Sequence, residues 1–294
     1  MHFQGITHMQ IKTLLAAGKP SISFEVFPPK KDAPFGPVRD AVTRLAAQRP
    51  AFISVTYGAA GNAQANTAEI AAHVQSCGVP ALAHLTCLTS SPDRIREELT
   101  SLRDRGIENI LCLRGDLPAG GEVKPGAFRY AVDLVRALRV AGGFCLGGAC
   151  YPECHPECEH LSDDIDHLKE KVDAGLDFLT TQMFFDNNVY FQYLARLRTA
   201  GITIPVLAGI MPVTNGKQIA RICKLSGTSL PPRFRAIVDR FGDDPSSMLD
   251  AGVAYATEQI VDLFANGVNN VHLYTMNRPE VAERIMANLA GIVG

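Results

Sequence analysis

A carboxylate stands inside an apolar run near the start of the chain. Glu25 lies in the string SFEVFPP, with aromatic and aliphatic residues on both sides. Burial disfavours the charged form of a carboxylate, so such a group is suited to hold and donate a proton near neutral pH. The alternative is a carboxylate that is paired with a basic residue and does no chemistry. Because carboxylates are seldom buried without a role, we favour Glu25 as a general acid.

A second charged motif, Arg114-Gly115-Asp116, follows an apolar run and precedes a glycine-rich segment. The glycine allows the backbone to approach a planar or phosphorylated ligand closely, and Asp116 supplies a fixed negative charge. The alternative is an Arg–Asp pair that only organises the turn. The tripeptide by itself does not decide between these interpretations.

The string YPECHPECEH is unusually rich in cysteine, histidine and proline. It is compatible with a cofactor-binding loop that uses Tyr151 and His155, with a rigid proline loop, or with a metal site. The metal site would use Cys154, His155, Cys158 and His160. Zinc tolerates the Cys-x3-Cys spacing, but a structural zinc site normally gathers a second, distant ligand pair. No second segment of comparable density occurs, so we predict no metal.

Two further patterns carry polar groups that suit ligand binding. Asp164, His167 and Lys171 recur about one helical turn apart and therefore share one helix face, which is either solvated or functional. Gln182 ends an apolar run in the string TTQMFFD. Its amide both donates and accepts hydrogen bonds, which suits a heterocycle, although a core glutamine bonded to the backbone is the alternative.

Composition narrows the class of protein. The 294 residues are 47% hydrophobic and 20% charged, which is typical of a globular chain with a large core. The formal net charge of −2 argues against nucleic acid as a partner. No run approaches the ~20 apolar residues of a membrane span, and no secretory signal is evident. Since several of the eight cysteines lie in apolar runs, we expect free thiols and a cytoplasmic location.

Eight short apolar runs alternate with segments of helical periodicity, which predicts a parallel sheet with helical crossovers. Eight such units in this length favour a single closed (β/α)₈ TIM barrel. The runs span residues 22–27, 52–57, 81–88, 109–113, 144–151, 178–184, 204–210 and 270–274. The pair Pro231-Pro232 should break the seventh crossover into at least two helices. We interpret residues 1–8 as a tag or cloning remnant and residues 9–294 as one catalytic domain.

In a TIM barrel, functional groups lie at the carboxyl ends of the strands and in the loops that follow. Almost every predicted strand here ends in a group that can titrate or form hydrogen bonds. These groups are Glu25, Thr56, Tyr57, His84, Arg114, Asp116, Tyr151, His155, Gln182, Tyr274, Asn277 and Arg278. A purely structural barrel does not require this pattern, so we expect an enzyme.

Nine short strings, in order along the whole barrel, give the chain a family resemblance. They are SFEVFPP, SVTYGA, HLTC, LRGD, YPECHPE, KVDAG, TTQMFFD, GIMPVTN and HLYTMNR. On these strings the chain resembles the methylenetetrahydrofolate reductases of the bacterial type. The resemblance implies a flavoprotein oxidoreductase of one-carbon metabolism in which FAD, reduced by NADH or NADPH, passes hydride to 5,10-methylenetetrahydrofolate by ping-pong kinetics.

The resemblance also implies site residues. Those expected around the flavin are Tyr57, Ala59, His84, Arg114, Gly115, Asp116, Tyr130, Ala131, Tyr151, His155, Asp164, His167 and Lys171. Thr56 and Gln182 would place the nicotinamide, and Asp116, Gln182, Gln218 and Arg278 the folate. Glu25 would protonate the folate, and Asp116 would stabilise the positive charge that develops on it. Glu170 stands where some bacterial relatives are basic.

Two other functions remain open at this point. A metal-dependent lyase or hydrolase on the same fold would use His84, His155 and Asp116 as ligands. A non-catalytic folate-binding subunit would bind ligand without turning it over. By similarity to bacterial relatives we expect a homo-oligomer, while the sequence does not choose between NADH and NADPH.

Overall fold

The computed structural model describes residues 9–29, 33–57, 63–88, 90–116 and 128–293. Its eight parallel strands form a closed barrel in chain order from β1 to β8. The predicted (β/α)₈ barrel is therefore confirmed. Ala59 and residues 117–127, which include the glycine-rich segment, lie outside the described residues.

All eight predicted strands are present. They are β1 (Ser21–Val26), β2 (Ile53–Val55), β3 (Ala81–Thr86), β4 (Asn109–Leu113), β5 (Cys145–Cys150), β6 (Phe178–Thr181), β7 (Val206–Ile210) and β8 (Asn270–Tyr274). The ends of some strands differ from the prediction. The run at 178–184, for example, leaves the ladder after Thr181 although its apolar residues continue to Phe185.

The helices surround this barrel, apart from a short one before β1. They are α1 (Ile11–Leu15), α2 (Gly36–Ala46), α3 (Ala63–Ser76), α4 (Pro92–Asp104), α5 (Ala131–Ala141), α6 (Leu161–Asp173), α7 (Asn187–Thr199), α8 (Gly216–Ser226), α9 (Pro232–Phe241), α10 (Pro245–Ala265) and α11 (Pro279–Asn288). Pro232 begins α9, so the predicted break in the seventh crossover is confirmed.

The floor of the barrel is apolar, and α1 closes it. Ile11 and Leu15 pack against Phe52, Leu82, Leu111, Cys145, Phe178 and Leu207, which lie at or near the amino ends of their strands. The backbone N–H of Ile11 donates a 2.8 Å hydrogen bond to Oδ1 of Asn109 on β4, which ties the helix to the sheet. Helix α1 therefore covers the amino end of the barrel, opposite the carboxyl ends of the strands.

The larger core lies between the strands and the outer helices. On β1, Ile22, Phe24 and Val26 face this core, while the intervening Ser23 and Glu25 form hydrogen bonds or ion pairs across the barrel interior. Strand side chains alternate between two faces, so the apolar residues of β1 direct its polar residues inward. The fold thereby places Glu25 in the barrel interior, near the carboxyl end of β1.

A close helix contact supports the loop after β7. A Cβ atom placed on Gly252 of α10 would lie 1.9 Å from the carbonyl oxygen of Val213. We predict that Gly252→Ala destabilises the protein by about 1–3 kcal/mol, although alanine ordinarily favours a helix over glycine. Urea unfolding measures this. Gly291→Ala is the control, since nothing lies within 4 Å of a Cβ atom there, and equal stability of both variants would contradict the prediction.

Candidate active site

Glu25 lies in a polar layer inside the barrel, above the apolar floor. Its side chain is 11% exposed, and its Oε2 atom is 3.6 Å from Nε2 of His84 and 3.8 Å from Nε2 of His272. Ser54 Oγ lies 3.5 Å from the same oxygen. Among the described residues, no lysine or arginine forms an ion pair with Glu25. Glu25 therefore has no permanently charged basic partner in the part of the chain that the structure describes.

His272 is held on both sides by serine hydroxyls. Its Nδ1 atom is 2.7 Å from Ser23 Oγ, and its Nε2 atom is 3.1 Å from Ser54 Oγ. The strand register produces this arrangement, because Ser23 pairs with His272 across β1 and β8, and Glu25 pairs with Ser54 across β1 and β2. Phe52 of the floor stacks on the imidazole with ring centroids 5.6 Å apart.

His84 is an uncharged neighbour of Glu25 at neutral pH. Burial lowers the pKa of His84 to about 4, and the nearby Glu25 carboxyl only partly opposes this effect. Nε2 of His84 is buried without a hydrogen-bond partner in the described structure. Burial and the negative charge of Glu25 also raise the pKa of Tyr274 well above its ordinary value. Glu25 thus has polar neighbours and, among the described residues, no lysine or arginine within ion-pair distance.

A cavity of about 450 Å³ lies at the carboxyl ends of β4 and β5 and against α6. Eight of the residues that the family resemblance assigned to the flavin line it. They are Arg114, Tyr130, Ala131, Tyr151, His155, Asp164, His167 and Lys171. The predicted face of α6 is therefore turned toward this cavity. The volume falls within the range of small-molecule sites.

The loop after β5 is fixed against α6 by side chains. Asp164 Oδ2 accepts a 3.1 Å hydrogen bond from the backbone N–H of His155, and burial raises the pKa of Asp164. The His155 ring packs edge-on against Tyr151, and its Nδ1 atom accepts the N–H of Glu157 at 3.1 Å. Burial lowers the pKa of His155, which favours the neutral ring that can accept this hydrogen bond.

A lysine and an arginine border the cavity. Lys171 Nζ donates to the carbonyl of Ala149 at 3.0 Å, and burial lowers the pKa of this lysine. Both Nη atoms of Arg114 lie 2.5 Å from the carboxylate of Glu157. Cations and neighbouring backbone groups of this kind are suited to an anionic ligand such as a phosphate.

The other predicted residues lie around these two centres. Tyr57 donates a 3.0 Å hydrogen bond to Glu98 of α4, and Thr56 accepts one from Thr67 through its carbonyl. Gly115 has φ +81°, and a Cβ atom there would lie 2.9 Å from Thr86, so the turn requires glycine. Asp116 beside it is exposed.

The expected folate residues lie on the side of β6 to β8. Oε1 of Gln182 accepts a 3.0 Å hydrogen bond from the backbone N–H of Met183. Gln218 is exposed at the start of α8. Arg278 after β8 donates to Thr214 Oγ1 at 2.5 Å and to Glu280 at 2.8 Å. None of these three predicted residues lines the 450 Å³ cavity.

In the cysteine-rich loop, the thiol of Cys154 contacts backbone carbonyl oxygens. Cys154 has φ +77°, and its thiol lies 3.6 Å from the carbonyl oxygen of Cys158. Both thiols are free, and burial raises the pKa of each. Within the described ranges, no group of three or more His, Cys, Asp or Glu residues is arranged to hold a metal ion. The alternative metal site of His84, His155 and Asp116 is thus not assembled.

Four polar residues of these centres were not predicted from the sequence. Ser23, Ser54 and His272 interact with Glu25 or with one another, and Glu157 pairs with Arg114. Ser23 stands two residues before Glu25, and His272 two before Tyr274, so strand alternation alone was a signal for an inward position. No comparable sequence signal marks Glu157.

These features define a TIM barrel with a buried carboxylate in its interior and a charged cavity at its carboxyl end. The chain matches the family model of methylenetetrahydrofolate reductase over residues 10–290, and it belongs to this family. It is 35% identical to the 5,10-methylenetetrahydrofolate reductases of Escherichia coli and Pectobacterium carotovorum, over 92% of this chain and 91% of each relative.

Longer relatives occur in plants. The chain is 34% identical to a probable methylenetetrahydrofolate reductase (NADH) of Oryza sativa over 95% of its residues, but it spans about half the length of that protein. A solved structure of a Clostridium thermocellum protein, described as binding two copies of 5-methyl-5,6,7,8-tetrahydrofolic acid, is similar in fold. Its TM-score is 0.67 at 15% identity, over 96% of this chain and 99% of that one. Across the described residues, no helix has the length and apolar character to span a bilayer.

The shifted pKa of His84 predicts a pH-dependent stability. A histidine that titrates near 6.5 when unfolded and near 4 when folded binds more protons in the unfolded state between these values. Stability is therefore fully present above pH 6.5 and falls as the pH drops to 4. We predict that the free energy of unfolding of His84→Asn falls less over this pH range than that of the wild type, by up to about 3 kcal/mol.

Urea unfolding at several pH values between 4 and 7 measures the slope. His160→Asn is the control, because His160 is exposed and precedes α6. An unchanged slope in His84→Asn would show that other groups cause the pH dependence.

Proposed function

We propose that this chain reduces 5,10-methylenetetrahydrofolate to 5-methyltetrahydrofolate, using NADH or NADPH and a bound FAD. The observation that carries the proposal is the placement of Glu25 in the barrel interior, without a lysine or arginine partner among the described residues. Family membership supplies the reaction, and the buried carboxyl supplies the proton donor that the reaction needs. A homo-oligomer and a cytoplasmic location remain predictions.

The cavity beside α6 is suited to a flavin dinucleotide. Tyr151 and Tyr130 offer aromatic surface, and the cations Arg114 and Lys171 suit the phosphates of a dinucleotide. When bound, the flavin would carry reducing equivalents from the nicotinamide to the folate. We further propose that Thr56 and Gln182 place the nicotinamide, and that His84, Gly115, Tyr57 and Ala59 complete the flavin surroundings. Ala59 is outside the described residues.

Glu25 is proposed to protonate the folate. The five-membered ring of the substrate opens when N10 is protonated, which leaves an electrophilic iminium carbon to be reduced. Glu25 would donate the proton for this step, because it is a buried carboxyl in the barrel interior and no described lysine or arginine pairs with it. One proton must then return to Glu25 in each turnover, since the product keeps the proton that the carboxyl donated.

The remaining residues are proposed to position the folate and its charge. The exposed carboxylate of Asp116 lies after β4, where it would stabilise the cationic iminium. Gln182 and Gln218 offer hydrogen bonds for the pterin and the rest of the folate, and Arg278 offers a cation for a carboxylate of the substrate. Arg278 is positioned by its hydrogen bonds to Thr214 and Glu280.

The central test replaces Glu25 with Gln, which keeps the shape and removes the transferable proton. Reduction of the flavin by NADH needs no acid, so we expect its rate to stay within about tenfold of the wild-type rate. Reoxidation of the reduced flavin by methylenetetrahydrofolate should slow by roughly 10²–10⁴. Rapid-mixing absorbance of the flavin measures each half-reaction. Reoxidation at the wild-type rate would show that Glu25 is not the acid.

A second test concerns the charge of Asp116. Asp116→Asn should leave the flavin bound and slow folate reduction more than NADH oxidation, because only the folate step develops a cation that this carboxylate can stabilise. The same rapid-mixing measurement separates the two rates. Equal slowing of both half-reactions would reject the proposed role of Asp116.

A further inference from the structure

The guanidinium of Arg114 is engaged by a carboxylate at the edge of the cavity. Its Nη1 and Nη2 atoms each lie 2.5 Å from an oxygen of Glu157, so one N–H from each nitrogen is used. The pairing holds the pKa of Glu157 below its usual value and raises the pKa of Arg114, so both groups are ionised at neutral pH. This fork of N–H groups is the one that binds a phosphate in bidentate geometry.

The cavity lining also carries carboxylates, which oppose the attraction of its two cations for an anion. Three carboxylates, of Glu157, Asp164 and Glu170, line it together with the cations of Arg114 and Lys171. Among the described lining residues, the carboxylates outnumber the lysine and arginine by one. A dinucleotide brings a dianionic pyrophosphate to this surface. Unless one carboxylate is protonated or moves, like charges repel the ligand.

Glu157 is the carboxylate that can move at least cost. Asp164 is buried and accepts the backbone N–H of His155, which fixes its position. The Glu157 side chain is 62% exposed, and its partner Arg114 is 26% exposed. Ion pairs this exposed contribute little stability. The backbone N–H of Glu157 donates a hydrogen bond to Nδ1 of His155 and holds the backbone in place, so only the Glu157 side chain has to rotate.

We propose that Glu157 is a displaceable counter-ion of Arg114. The pyrophosphate of the dinucleotide takes the fork of Arg114, and the Glu157 carboxylate rotates outward into water. Glu157 then lowers the affinity of the cavity for the dinucleotide and keeps Arg114 paired in its absence. This inference rests on the proposed binding of FAD, and it concerns a residue to which the proposed reaction gives no role.

Flavin release from the holoenzyme tests the proposal. After dilution, the recovery of flavin fluorescence gives the release rate, and titration of the apo chain with FAD gives the dissociation constant. We expect Glu157→Gln to bind FAD about three- to tenfold more tightly than wild type at low salt, with a smaller difference at high salt. Glu159→Gln, an exposed residue of the same loop outside the cavity lining, should change affinity less than about twofold.

A double-mutant cycle separates a local counter-ion from a general effect of charge. In an Arg114→Met background, which should bind FAD more weakly, Glu157→Gln should change affinity no more than Glu159→Gln does. Weaker binding by Glu157→Gln in the wild-type background would mean that Glu157 holds Arg114 ready for the ligand, and would overturn the proposal. Equal tightening in both backgrounds would also overturn it. Failure of the wild-type chain to bind FAD would instead contradict the proposed function.

Discussion

The register of β1 against its two neighbours controls the chemistry of the barrel interior. Pairing with β2 and β8 places Glu25 beside Ser54 and Ser23 beside His272. A slip of one residue would turn Phe24 inward and Glu25 toward the helices. Phe24 is fully buried in the outer core, so both faces of the strand resist that slip. The apolar face of β1 thereby fixes the position of an ionisable group on its other face.

The described neighbours of Glu25 include two histidines but no lysine or arginine within ion-pair distance. A lysine or arginine partner would stabilise the carboxylate and keep the proton away. The described structure places His84 and His272 there instead, and burial lowers the pKa of His84 to about 4. A neutral imidazole such as that of His84 does not fix the charge of a neighbouring carboxyl group as a lysine or arginine would. The cost is a buried Nε2 atom of His84 without a hydrogen-bond partner, as is usual where function and stability compete.

Much of the fold could be predicted from the sequence, since apolar runs and helical periodicity are local signals. The strand ends were less certain, because residues such as Phe184 and Phe185 are apolar on account of burial beneath helices rather than in the sheet. The inward position of Glu25 and the shared face of α6 were predicted from local pattern and spacing, whereas a ligand role for that face was implied only by the family resemblance. The ion pair between Glu157 and Arg114 was not, because 43 residues separate them and only the adjacency of β4 and β5 brings their loops together.

The two centres differ in how a change of charge is tolerated, and exposure explains the difference. Inside the barrel the dielectric response is weak, so a permanent cation near Glu25 would dominate its protonation. At the rim, water reaches carboxylates such as Glu157, and exchanging one ionic partner for another costs little. Under the proposed function the barrel binds an anionic cofactor and donates a proton, and it would therefore benefit from an arginine at the rim rather than in the interior. Arg114, held there by Glu157, satisfies that condition.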